Sequence, residues 1–128
     1  MQYTIDKKVN YSFDKAISLV TEKLKEQGFG ILTEIDVKAT LKKKIDVDFK
    51  KYVILGACNP NFAHEALQVE DKLGALLPCN VIVIEQEDGT VDVCAIDAFN
   101  MMQQINNPAL SSIAEQVGKR LQNVIDSL

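Results

Sequence analysis

Cysteine, histidine and asparagine crowd into one stretch, "ACNPNFAHEALQVEDKLGALLPCN", Ala57 to Asn80. It holds two of the three cysteines and the single histidine. Thiols and imidazoles do nucleophilic, redox and metal chemistry, so a site is sought here first. Cys58, Asn59 and Pro60 stand where a strand pattern gives way to a helix pattern. A helix N-terminus offers free N–H groups and a partial positive charge, which lower a nearby thiol's pKa and attract anions. Gly56 removes a side chain close by and would let a ligand or another backbone approach. A plainer account competes: Asn-Pro starts helices well, and cysteine is a common small core residue.

His64 falls about 200° round the helix from Phe62, away from the apolar stripe and on the side of Asp71. It is a candidate base or ligand for Cys58, or simply an exposed histidine. Cys79 and Asn80 follow "LLP" and open a strand, with Pro78 suited to strand entry. A zinc ion shared by Cys58, His64 and Cys79 is set aside on topology. In a strand–helix–strand crossover the two thiols would fall at opposite ends of the sheet. No CxxC pair occurs, so neither a zinc ribbon nor a thioredoxin-type motif is present. Cys94 reads as packing, and Glu85 and Asp92 as an exposed strand end. No Ser-His-Asp set, phosphate loop or GxGxxG is found. No catalytic constellation is recognisable, so enzymatic activity stays open, no metal is expected, and any cofactor is unknown.

The elements that must hold this stretch follow from hydrophobic spacing. "QYTIDKKV" alternates as a half-buried strand. A helix follows, capped by Ser12, with Phe13, Ile17, Val20 and Leu24 on one face. Gly28 ends it, and Phe29 can close a Schellman motif on Leu24. "FGILTEI" is a strand, Asp36 caps a short helix "VKATLKKKI", and "KKYVILGAC" is a strand apolar on both faces, expected at the centre of the sheet. Asn59 caps the next helix, with Phe62, Ala66, Val69 and Leu73 buried and Gly74 as its stop. "NVIVIEQEDGTVDVCAID" is a hairpin on an Asp88-Gly89 type I′ turn. A two-residue loop opposes Ile84 to Val93, Val83 to Cys94, and Glu85 to Asp92. That last like-charge pair is unfavourable, and a longer loop would relieve it. Asp97 caps a short helix. Asn107 and Pro108 start a long one carrying Leu110, Ile113, Val117, Leu121, Val124 and Leu128.

These 128 residues read as one domain, 1–128, with no repeat or linker. The fold class is α+β: a mixed, mostly antiparallel sheet of about five strands, helices packed on one face. Net charge is −4, which disfavours nucleic acid as a partner. The "KKK" run at Lys42–Lys44 sits among acids and reads as a solvated face. The longest apolar run, "VIVI" at Val81–Ile84, is far short of a membrane span. With no apolar signal segment, a cytoplasmic protein with reduced thiols is expected.

In the two-residue-loop register, Ile82, Ile84, Val93 and Ala95 share one hairpin face, and Val81, Val83, Cys94 and Ile96 the other. Both are apolar. One layer of helices shelters one face only, so the other needs a second cover. The economical cover is a second copy, giving a homodimer. The alternative is a monomer with helices on both faces.

"ILGACNP", Ile54 to Pro60, then "AHEAL", "LLPCNVIV", "DG" and "IDA", resembles the domain of unknown function 302 family over nearly the whole chain. The resemblance implies a small α+β fold, found mostly in bacteria and archaea, with homodimers built on sheet packing. It implies no activity. The motif positions it points to are Gly56, Cys58, Asn59, Pro60, His64, Leu77, Pro78, Cys79 and Asn80. Ala98 stands where the family often has proline, so entry into the following helix is expected to differ.

Three functions compete. The first is a homodimer binding a small molecule or partner protein at the Cys58–Asn59–Pro60 junction. The second is a structural or assembly role without a ligand. The third is thiol redox or metal chemistry at Cys58 and Cys79.

Overall fold

The computed structural model describes residues 2–128. Five strands, β1 (Thr4–Val9), β2 (Gly30–Asp36), β3 (Tyr52–Cys58), β4 (Cys79–Glu85) and β5 (Val91–Ile96), form one sheet. Its order is β1-β5-β4-β3-β2, and every neighbouring pair is antiparallel. The fold is α+β as expected, with no parallel pair in it. β3 is an interior strand, but the middle of the sheet is β4.

The helices are α1 (Phe13–Glu26), α2 (Val37–Ile45), α3 (Pro60–Val69), α4 (Ala98–Gln103) and α5 (Ser111–Asp126). Local chemistry sets their ends. Ser12, Asp36, Asn59 and Asp97 each accept a backbone N–H of the first turn of α1, α2, α3 and α4. Gly28, at φ +87°, closes α1. Phe29 N donates to Leu24 O at 2.9 Å and Gly28 N to Lys25 O at 3.0 Å. That is the complete Schellman pair, with Phe29 and Leu24 both buried.

Three expectations are corrected. The β4–β5 turn is longer than two residues: Gly89 N donates to Gln86 O, Gln86 N donates to Thr90 O, and Gly89 has φ +85°. The register therefore shifts to Val83 opposite Val93 and Ile84 opposite Asp92, and Glu85 faces Val91. The Glu85–Asp92 clash disappears, and Asp92 pairs with Lys8 at 2.9 Å. Secondly, α3 stops at Val69, not at Gly74, because Glu70 is extended. A 3-10 turn, Asp71–Leu76, follows. Asn107 Nδ2 fastens the break, donating to Val69 O at 2.9 Å and to Glu70 Oε1 at 3.2 Å. Leu73 is buried but Val69 is exposed. Thirdly, Asn107 and Pro108 open a short 3-10 turn, Pro108–Leu110, that runs on into α5.

Period-two alternation divides the sheet into two faces. Val53, Leu55, Ala57, Val81, Val83, Val91, Val93 and Ala95 are buried on one. Against them lie Val20 and Leu24 of α1 and Val117, Leu121 and Val124 of α5. The other face carries Tyr52, Ile54, Ile82, Ile84, Cys94 and Ile96, all half-buried. The corrected register moves Val93 and Ala95 to the buried face and brings Cys94, Ile96 and the charged Asp92 onto the face of Ile82 and Ile84, where Asn80 also stands; its centre stays apolar.

Gly28 holds two elements in place. A Cβ there would stand 2.8 Å from Nδ2 of Asn59, the α3 cap. Gly28→Ala should therefore cost about 1–2 kcal/mol, from the positive φ and from displacing the cap. Urea unfolding checks this, and a loss no larger than that of Gly30→Ala, where a Cβ has open space, would contradict it.

Candidate functional site

The pairing of β3 with β4 decides the geometry of the cysteine-rich stretch. Ala57 lies opposite Cys79. The end of β3 and the start of β4 are therefore neighbours, not at opposite ends of the sheet. The expected crossover is a long return: α3 and the 3-10 turn leave β3 and bring the chain back beside it. Cys58 and Cys79 stand close together as a result. Among the described residues no group of three His, Cys, Asp or Glu is placed to hold a metal ion.

Between these strand ends and α3 lies a narrow crevice of about 30 Å³. Cys58, Asn59 and Cys79 line it with Phe62, Leu77 and Met102, and its walls are almost wholly apolar. The break after Val69 shapes it, because the 3-10 turn carries Leu73 into the wall. Phe62 has Arg120 over its ring at 5.2 Å. Arg120 Nη1 also donates to Gln27 O at 3.0 Å, tying α5 to the end of α1.

The other candidate residues fall outside the crevice. Pro60 is exposed at the first position of α3, and His64 is exposed one turn on. Gly56 is buried, with its missing side chain on the uncovered sheet face. The room it leaves is taken by this chain: a Cβ would collide with Thr33 Oγ1 and lie 2.8 Å from Pro78 Cγ. Asn80, opposite Gly56, is exposed on that same face. The sequence singled out Cys58, Asn59 and Cys79 individually but set the two thiols apart, whereas the β3–β4 pairing brings them together. Sequence spacing missed Met102 and Arg120, which arrive from distant segments with no local signal. Phe62 and Leu77 carried a signal, as stripe and motif residues.

Domain of unknown function DUF302 matches this chain over residues 5–128. The chain belongs to that family. An uncharacterised protein of Aquifex aeolicus (strain VF5) is 32% identical over 99 residues, 66% of this chain and 68% of that protein. The crystal structure of an uncharacterised conserved DUF302 protein from Bacillus stearothermophilus has a TM-score of 0.90 at 31% identity, covering 98% of each chain. The motif resemblance is thereby confirmed. These DUF302 relatives supply a fold and no named activity.

The electrostatics of the thiols bear on reactivity. Burial pushes the Cys79 thiol up to about 11, and the neighbouring Cys58 adds to the rise. Cys94, on the uncovered face, is pushed up to about 12 by burial and by Asp6. A raised thiol pKa holds back the thiolate that nucleophilic and metal chemistry need. The same shift links pH to stability. Folding favours protonated Cys79, so its contribution is complete below the ordinary value of 9.0 and is lost as pH rises through about 11. Over that window the group should cost the fold about 2–3 kcal/mol. Cys79→Ala should flatten this part of the urea-derived profile, and a mutant profile parallel to the wild type would refute the link.

Proposed function

We propose that this DUF302 protein is a homodimeric binding protein that seats the apolar end of a small molecule in the crevice between α3 and the ends of β3 and β4. The observation that carries the reading is the crevice itself, at the junction where cysteine, asparagine and proline meet. A buried water needs two to four polar partners, and walls this apolar offer few, so the space favours an apolar group. At about 30 Å³ it takes the tip of a chain or the edge of a ring, with the remainder outside beside Asn59.

The competing readings have less support. A purely structural role requires no adjoining cavity, and one adjoins. A thiol activity needs available thiolate, which burial holds back at Cys79. The three free thiols suit a reducing compartment such as the cytoplasm. No helix among the described residues is long and apolar enough to cross a membrane.

The dimer rests on the uncovered sheet face. The register runs Ile35, Ile54, Ile82, Cys94 across four strands, with Tyr52 beside Ile84 in the next row. A monomer rarely leaves a contiguous patch of this kind in water. Sheet-on-sheet packing by a second copy covers it.

Two measurements test the reading. Titration with n-butanol should shift the Met102 methyl resonance, and Ala63→Leu, which fills the crevice wall, should abolish the shift without unfolding. A Met102 signal indifferent to butanol in the wild type would end the ligand reading. Ile82→Lys should convert a sedimenting dimer to a folded monomer, and an unchanged sedimentation coefficient would place the interface elsewhere.

A further inference from the structure

The dimer reading leaves α2 unexplained, and α2 is the least supported element of the fold. It packs against β2 and β3 and buries none of its side chains. A nine-residue helix has little stability of its own in water. Ile45 is 63% exposed, Val47 42% and Phe49 38%, with Leu32 and Ile35 of the adjoining edge strand also exposed. This apolar surface is continuous with the uncovered sheet face at two points. Ile35 lies in the same cross-strand row as Ile54. The Phe49 ring sits 6.3 Å from that of Tyr52.

Charge selects the occupant. On α2, Lys42 is engaged by Asp46 and Asp48, and Lys38 donates to Phe49 O. Lys43 and Lys44 are exposed and make no ion pair among the described residues. Across the sheet, Glu87 and Asp88 are exposed in the β4–β5 turn, while Asp92 beside them is taken by Lys8. Asp88 accepts from Thr90 and makes no ion pair among the described residues, with Lys8 acting on it only at longer range. Arm and turn lie at the same end of the sheet, since Glu85 N donates to Lys51 O at 3.0 Å. A two-fold axis along β4 exchanges the two halves of the sheet and keeps the ends aligned. Such an axis would bring α2 of one copy to the side of the β4–β5 turn of the other. An anionic bilayer is the poorer occupant, because the chain's net charge of −4 opposes it.

We propose that α2 and residues 46–49 form an arm that clasps the second copy, with Lys43 and Lys44 meeting Glu87 and Asp88 of the partner subunit. This rests on the dimer reading, and the experiment separates the two. Sedimentation equilibrium would compare the wild type, the K43E/K44E variant and the E87K/D88K variant. Each variant should dimerise about tenfold more weakly or worse, because like charges then face each other on both sides of the axis. Mixing the two variants should restore wild-type affinity as a heterodimer, seen by native mass spectrometry, since every arm then meets a turn of opposite charge. A monomeric wild type removes the dimer and the arm together. A wild-type dimer indifferent to both reversals removes the arm alone. If phosphatidylserine vesicles sediment the wild type and K43E/K44E releases it, the arm's partner is a membrane and the proposal is overturned.

Discussion

An antiparallel sheet with helices on one side is stable when its outer face is polar, and here the centre of the outer face is aliphatic, with Asp92 and Asn80 at its margins. Ile54, Ile82 and Ile84 stand half-buried on interior strands. Fully burying a side chain of this size is worth about 1.5–3 kcal/mol, so three left half-covered represent a driving force comparable to a large share of a small domain's stability. The two edges of the sheet are treated differently. β1 presents Asp6, Lys7 and Lys8, charges that discourage further strand pairing. β2 presents Leu32 and Ile35, both exposed. The molecule is therefore greasy on one face and along one edge, and charged along the other. That asymmetry orders the rest of the structure.

The second dependency is the antiparallel pairing of β3 with β4. It brings Cys58 and Cys79 to the same end of the sheet, and it forces the intervening segment to leave and return within a short radius. A continuous helix from Pro60 to Gly74 would overshoot that return. The break at Glu70, fastened by Asn107, shortens it and turns Leu73 inward. The crevice is what remains where α3, the 3-10 turn and the strand ends meet without filling the space. The thiols in its wall act first as small apolar groups. That explains how Cys79 is accommodated at 7% exposure with its proton held firmly.

Which parts were legible in the sequence follows from how local their causes are. The caps at Ser12, Asp36, Asn59 and Asp97 and the Gly28 closure were readable, because each is settled within five or six residues. The apolar alternation of each strand was readable, but the wrong register put Val93 and Ala95 on the face of Ile82 and Ile84, where Cys94, Ile96 and Asp92 stand instead. The register itself was not readable. Asp88-Gly89 signals a tight turn, but only the bond from Gln86 N to Thr90 O reveals the longer one. The end of α3 was misread because Gly74 imitates a helix stop, while the true stop depends on Asn107, far along the chain. The nearness of Cys58 to Cys79 was misread because a strand, helix and strand in sequence do not say whether the second strand returns parallel or antiparallel.

One strand end joins the two surfaces. Leu77 and Cys79 face the crevice, and between them the Pro78 ring lies against Gly56 on the uncovered side. Gly56 is needed there because Thr33 and Pro78 close over it, a packing reason that needs no ligand. The motif "ILGACNP" with "LLPCN" therefore encodes a joint before it encodes a site. Gly56 and Pro78 lock β3 to β4, Asn59 starts α3 against Gly28, and the crevice lies in the angle between them. The same residue pattern thus serves the geometry of the joint and leaves a small apolar recess within it.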